Sequence, residues 1–265
     1  MFLGLMGVFM AGEALWPRRA RNHGRWRRWP SNLGVVILDS LAVRLVVGLL
    51  PFALPVVLAQ LAVEWDWGLL NQVALPNEVD LVVGVLAQDL VIWSQHVLFH
   101  KVPLLWRLHR MHHADTDFDV TTALRFHPLE ILLSLAIKGA AVVVIGPSPL
   151  AVLIFEVLLN GSAMFNHANM AVPLGLDRGL RLFVVTPDMH RVHHSVHRQE
   201  TDSNYGFCFP WWDRLFGTYQ SQPREGHRDM VIGLDILRNP AELGLRRLLT
   251  QPFRKDSLKS SERLD

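Results

Sequence analysis

Five apolar stretches, each near the length of a bilayer-spanning helix, constrain this chain to an all-α fold built as a membrane helical bundle. They run over about Met1 to Leu15, Leu33 to Leu61, Val79 to Phe99, Leu129 to Ile145 and Leu150 to Phe165. Half of the residues are hydrophobic and mean hydropathy is +0.22, too apolar for an ordinary soluble domain. The first stretch lacks a basic leader and a small-residue cleavage site, so it is expected to be a short or tilted helix rather than a secretory signal. Pro51 and Pro55 should bend the second without ending it. Gly146-Pro147-Ser148-Pro149 is turn punctuation between the last two. Four to five membrane helices are therefore expected.

The loops orient the bundle. Arg18, Arg19, Arg21, Arg25, Arg27 and Arg28 lie between the first two stretches, with no acid among them. Glu64, Asp66 and Glu78 lie between the second and third, with no Lys or Arg. Basic loops stay cytoplasmic, so the first loop is expected inside and the second outside. The segment from about Ala171 onward then falls on the cytoplasmic side. Within it, Leu243 to Phe253 is expected to form an amphipathic surface helix. The last dozen residues are expected to fray.

On that same side gather ten histidines. His96 and His100 are spaced i, i+4; His109, His112 and His113, and again His190, His193 and His194, are spaced i, i+3, i+4. Such spacing puts each set on one helical face. Neighbouring histidines diverge by about 100° on a helix, so a His-His pair can reach two different ions. His127 and His167 flank the apolar hairpin. Ten imidazoles are too many for one ion and more than the four of a structural zinc site. Two ions with open positions suit them better, and imidazole alone does not choose among zinc, copper, iron and nickel. His127 and His167 can instead be read as helix-end caps, and His23, His197 and His227 as solvated side chains. Asp89, inside a membrane stretch, is a candidate to orient His96 or His100, or else a partner of Arg44. Asp188 either orients a ligand or caps its helix. Glu130 and Glu156 are not needed as ligands when ten histidines are available. The single cysteine, Cys208, excludes an intrachain disulfide and a four-cysteine cluster.

The motifs carry a resemblance. Asp89-x3-Trp-x2-His-x3-His, Leu108-His-Arg-Met-His-His, Phe126-His-Pro-Leu-Glu, His167-Ala-Asn, Pro187-Asp-Met-His-Arg-Val-His-His, Asn204-Tyr-Gly and Trp212-Asp-Arg-Leu-Phe-Gly-Thr-Tyr follow one another between about Leu81 and Tyr219. In order and spacing they resemble the fatty acid hydroxylase superfamily, and within it the bacterial sterol desaturase-like proteins. The resemblance implies an oxidoreductase of the bacterial inner membrane with a non-haem di-iron centre and O2 as co-substrate. It carries the family's metal ligands over to His96, His100, His109, His112, His113, His190, His193 and His194, together with His127 and His167. It also makes Asn204 a candidate supporting residue. Similar sites in this superfamily also hold zinc.

The resulting expectation is a lipid hydroxylase or desaturase acting on a sterol, fatty acyl or related C–H bond, with residues 78–222 as the catalytic region. Residues 1–77 form N-terminal membrane helices and the arginine loop, and 223–265 a basic tail. No Gly-rich dinucleotide motif is present, so electrons must come from a separate reductase, ferredoxin or cytochrome. The lipid substrate and the membrane are the other partners expected, with no nucleic acid. The rival readings are a zinc-dependent membrane hydrolase or isomerase and a non-enzymatic membrane metal-binding protein.

Overall fold

The computed structural model describes residues 2–254, and the charged C-terminal residues expected to fray lie outside that range. The described chain is helical, with only isolated bridges between extended residues. Helices α1 (Phe2–Leu15), α2 (Arg25–Leu49), α3 (Pro55–Glu64), α4 (Asn77–Lys101), α5 (Pro103–His113), α6 (Pro128–Ile145) and α7 (Pro149–Asn166) make the bundle and its inner end. Among the described residues, α2, α4, α6 and α7 are long and apolar enough to cross a membrane. At 14 residues, α1 spans only about 21 Å, short of the hydrocarbon core.

The stretch expected to bend at Pro51 and Pro55 is broken outright. A 3-10 turn, Pro51–Ala53, separates α2 from α3. Each proline lacks the N–H that would continue the helical ladder. The two helices still follow α6 in one direction. Asp39 shares a cavity lining with Glu130 near the start of α6, and Leu58 approaches Gly139 farther along it. Beyond α3, Leu69 N donates to Val144 O at 3.0 Å. At that far end Gly68 (φ +87°) meets Gly146 (φ +71°), and a Cβ on Gly68 would lie 2.3 Å from Gly146 N. Only glycine permits both the left-handed backbone and the approach.

At the inner end, charged residues stitch the N-terminal segment to the rest. Arg28 is fully buried and forms ion pairs with Asp115 (2.5 Å) and Asp119 (2.7 Å). Burial alone would raise the Asp115 carboxyl, but the Arg28 and Arg125 guanidiniums outweigh it and bring its pKa down to about 2. Arg18 pairs with Asp188 at 2.5 Å. Glu13 Oε1 accepts from Val120 N (2.6 Å) and Asn169 N (2.9 Å). The arginine loop therefore fixes tertiary structure as well as carrying charge. The expected C-terminal surface helix is shorter, Leu245–Thr250, and buries Leu248 against Val35 and Met111.

Replacing Arg28 with Ala leaves the buried Asp119 carboxylate without its cation and Asp115 with Arg125 alone, and breaking a buried pair costs about 3–5 kcal/mol. A fall in detergent-phase melting temperature is expected; an unchanged midpoint would show that this layer does not hold the inner end together.

Candidate metal centre

Three short helical segments and one helix end deliver the histidines. The last two turns of α4 carry His96 and His100. Val102 is extended, and Pro103 at the first position of α5 restarts the helix that carries His109, His112 and His113. His167 is the C-cap of α7. Helix α8 (Leu174–Leu180) follows, and α9 (Pro187–His193) starts on Pro187 with Thr186 Oγ1 accepting from Met189 N. That helix carries His190 and His193, with His194 as its C-cap.

Nine of the ten candidate histidines converge in two groups. His96, His100, His109, His113 and His193 form one, and His112, His167, His190 and His194 the other. Within each group the candidate ligand atoms lie within 4.8 Å of one another, and all nine residues are buried. The adjacent pairs separate as helical geometry requires: His112 and His113 go to different groups, and so do His193 and His194.

Ring tautomers follow from fixed acceptors. Nδ1 of His96 donates to Tyr205 O, Nδ1 of His193 to Ser203 O and Nδ1 of His167 to Ala163 O, each at 2.7 Å. Glu130 Oε1 and His109 Nδ1 share a hydrogen bond at 2.6 Å. A neutral ring protonated at Nδ1 has a bare Nε2. Yet His96 Nε2 lies 3.0 Å from Nε2 of both His109 and His193. His167 Nε2 lies 3.1 Å from Nε2 of both His112 and His190. Between His96 and His193, then, lone pair faces lone pair without a proton to share. Two ring nitrogens bound at about 2.1 Å to one ion, at right angles, would be about 3.0 Å apart. The arrangement is that of a cation site.

Burial, and after it repulsion among the rings, pushes the imidazoles of His112, His113, His190, His193 and His194 well below their ordinary pKa. Burial brings His109 down to about 3 and His167 to about 4. They are neutral at neutral pH, the form that binds metal.

The remaining candidates lie elsewhere. His127 stands outside both groups as the N-cap of α6: its Nδ1 accepts from Leu129 N, and its Nε2 faces Leu249 O, both at 3.1 Å. Asp89 touches neither His96 nor Arg44; its Oδ2 accepts from Trp212 Nε1 at 2.8 Å. Asp188 pairs with Arg18 and Arg191 and reaches no histidine of either group. Asn204, at φ +49°, donates to Met189 O and Gln220 O and thereby fixes the strand-like turn whose neighbours Ser203 and Tyr205 orient His193 and His96. His227 is buried 3.8 Å from Asp188 rather than solvated.

Two supports went unassigned in the sequence. Glu130 sits in the Phe-His-Pro-Leu-Glu motif and holds His109. Asp213, in Trp-Asp-Arg, accepts from Trp93 Nε1, Tyr205 N and Gly206 N at 2.9–3.0 Å. Its position within a recurrent motif was the available signal.

Among the described residues, the fold and the site define a helical protein with four membrane-length helices and, at one end of them, two adjoining buried histidine groups that could each hold a cation. The chain belongs to the fatty acid hydroxylase family, whose profile matches residues 81–218. It is 29% identical over 185 residues to the ornithine lipid hydroxylase OlsE of Rhizobium tropici, covering 69% of this chain and 53% of that one. It is 34% identical over 128 residues to human alkylglycerol monooxygenase, covering 48% of this chain and 27% of that one. A cholesterol 25-hydroxylase-like protein of Danio rerio is 30% identical over 164 residues, 58% of this chain and 63% of that protein. The matched region thus spans about half of the first relative and about a quarter of the second. No solved structure matches.

His193→Ala and His112→Ala each remove a member of a different group, and each should lower bound metal per chain by about half or more, read by elemental analysis. His127→Gln should leave metal content unchanged. Loss of metal in that variant would return His127 to the ligand set.

Proposed function

We propose that this protein is an O2-dependent lipid hydroxylase or desaturase whose two histidine groups hold two iron ions. The observation that carries the reading is the pair of bare Nε2 atoms of His96 and His193 facing each other at 3.0 Å, each ring donating through Nδ1 to a backbone carbonyl. Nine nitrogen donors in two adjoining groups suit a pair of borderline metal ions and exceed a structural zinc site. His96, His100, His109, His113 and His193 would hold one ion, and His112, His167, His190 and His194 the other. When bound, two iron ions supply the activation of O2 toward an unactivated C–H bond.

The chain's own part is to place a lipid and keep water away. A cavity of about 420 Å³ opens between α2, α4, α6 and α7, lined by Ile92, Leu124, Phe126, Leu159, Ala163 and Phe207 among others. Its inner end meets the histidines through two aromatic rings. Phe126 stacks on His112 at 4.4 Å between centroids, and Phe207 lies 5.0 Å from His96 and 5.9 Å from His190. These rings shield the imidazoles on the lipid side. The slot also holds polar pairs, Gln95–Ser134 (3.1 Å) and Lys138–Glu156 (2.6 Å), which favours an amphiphile over a plain hydrocarbon. The names of the relatives point to ornithine lipids, alkylglycerols and sterols as the substrate classes to try. Arg21, Arg25 and Arg27 on the site's side of α2 favour a site at the cytoplasmic face of a bacterial inner membrane. Electrons come from a separate reductase, ferredoxin or cytochrome.

Detergent-extracted protein, purified without a histidine tag, should carry about two irons per chain. With a reductase and ¹⁸O2 it should place labelled oxygen in ornithine lipid, an alkylglycerol or cholesterol. Two zincs after growth in iron-replete medium, with turnover independent of O2, would replace this reading with that of a hydrolase or isomerase. Ala163, which lines the cavity with Phe207, tests the slot: lost fit in an apolar pocket is worth about tenfold or more, so Ala163→Leu should weaken kcat/KM about tenfold with metal content unchanged.

A further inference from the structure

On the outer flank of the site, α8 and the short helix α11 (Trp211–Leu215) form a surface that the oxidative chemistry does not use. Between them opens a cavity of about 430 Å³ lined by Arg178, Arg181, Arg214, Tyr219 and Ser221, with Asp177 as its one acid. Three arginines against one aspartate leave a net charge of +2 at the lining. Asp177 is already committed: it pairs with Arg181 Nε at 2.7 Å and accepts from Thr186 Oγ1 at 2.6 Å. Arg181, itself 4% exposed, donates through Nη1 to Ser221 O, while its Nη2 is buried without a hydrogen-bond partner. The Arg214 guanidinium lies 4.0 Å over the Tyr219 ring. These contacts hold two guanidiniums in place at the cavity wall, with Arg178 exposed at its rim.

The cavity's surroundings say what kind of anion it takes. Helix α11 is fastened along α4: Trp93 Nε1 donates to Asp213 at 3.0 Å, Trp212 Nε1 donates to Asp89 at 2.8 Å, and Phe216 stacks on Trp93 at 4.8 Å. Trp211 Nε1 donates to Leu182 O at 2.7 Å and ties the end of α8 to the same flank. Leu176, Leu182, Phe183, Leu215 and Phe216 are all exposed there, each more than half accessible. A soluble surface rarely carries so many exposed large apolar side chains together. Beside a membrane-spanning helix, they meet lipid chains.

We infer that this flank is a binding site for an anionic phospholipid, its phosphate held by Arg178, Arg181 and Arg214 and its acyl chains laid over the apolar rim. Arginine suits the phosphate because its planar fork donates two parallel N–H bonds. Basic pockets beside membrane helices recognise charged headgroups by this chemistry. A free phosphate would satisfy the guanidiniums but leave the rim uncovered, and an acidic protein would not match a rim of exposed leucine and phenylalanine beside α4.

The test is native mass spectrometry of the full chain in dodecyl maltoside, titrated with phosphatidylglycerol and, separately, phosphatidylcholine. Phosphatidylglycerol should bind at least about tenfold more tightly, and Arg178→Gln/Arg214→Gln should erase that preference. Arg178→Gln alone, at an exposed position, should reduce it severalfold and guards against misfolding of the double variant. Arg246→Gln/Arg247→Gln removes the same charge elsewhere and should change nothing. Equal binding of the two lipids would overturn the proposal, as would a preference that survives Arg178→Gln/Arg214→Gln or falls equally in the Arg246/Arg247 control. Displacement of phosphatidylglycerol by equimolar inorganic phosphate would reassign the site to the free anion. Metal content, measured on the same samples, reports on the oxygenase reading separately.

Discussion

Nine neutral imidazoles packed into one dry volume, several with bare nitrogens about 3 Å apart, are what the rest of this structure must hold in place. Without a cation that arrangement is repulsive, and with water excluded nothing screens it. Ring orientation therefore cannot be left to the rings. It is set by partners on three different parts of the chain: the Ala163 carbonyl, the carbonyls of Ser203 and Tyr205, and the Glu130 carboxyl. Two of these carbonyls belong to one turn. Asn204 secures that turn by three side-chain hydrogen bonds, and Asp213 secures its backbone N–H groups from the other side. The Trp-Asp-Arg and Asn-Tyr-Gly motifs thus serve the metal site from a distance, through the peptide backbone.

The same need explains the charged layer at the inner end. The histidine-bearing helices α5 and α9 are only 11 and 7 residues long, too short to be stable alone. Arg28 grips the loop just after α5, through Asp115 and Asp119, and Arg18 grips Asp188 at the start of α9. Glu13 bridges Val120 and Asn169, two residues beyond His167. Each bond ties a residue of the first thirty to a segment flanking a histidine. The N-terminal region is accordingly part of the site's scaffold, although the family profile begins only at residue 81.

Periodic features were legible in the sequence; single long-range partners were not. Helical spacing exposes both triples, and the divergence of neighbouring positions anticipates the split of His112 from His113 and of His193 from His194. Apolar length exposes α4, α6 and α7 within a residue or two at each end. The arginine loop was legible as charge, but its partners lie about ninety residues on and carry no periodic signal. Glu130 was set aside because histidines sufficed in number; its value lies in fixing a tautomer, which a count of ligands does not register. Asp89 precedes His96 and His100 by about two and three turns, as a support for either would, yet the indole of Trp212, 123 residues on, takes its carboxylate. His127 matched the ligand pattern but precedes Pro128, and a proline at the first helical position favours a cap before it.

The break in the second apolar stretch bears on the slot. A cavity of about 320 Å³ lies where α2 gives way to α3, lined by Val43, Leu54, Pro55 and Val56 together with Lys138 and Glu156. Lys138 and Glu156 also line the larger cavity that ends on Phe126 and Phe207. The ion pair therefore stands where the two spaces adjoin. A charged side chain at membrane depth is costly unless it is paired or borders a cavity, and here both conditions hold. Irregular backbone at such depth is likewise tolerated where it lines a cavity, as the Pro51–Ala53 turn does beside α6. The break at the two prolines thus lies beside an ion pair that, with Gln95 and Ser134, gives the slot its polar character, and a substrate's polar group held there would leave its apolar remainder to extend toward the histidines.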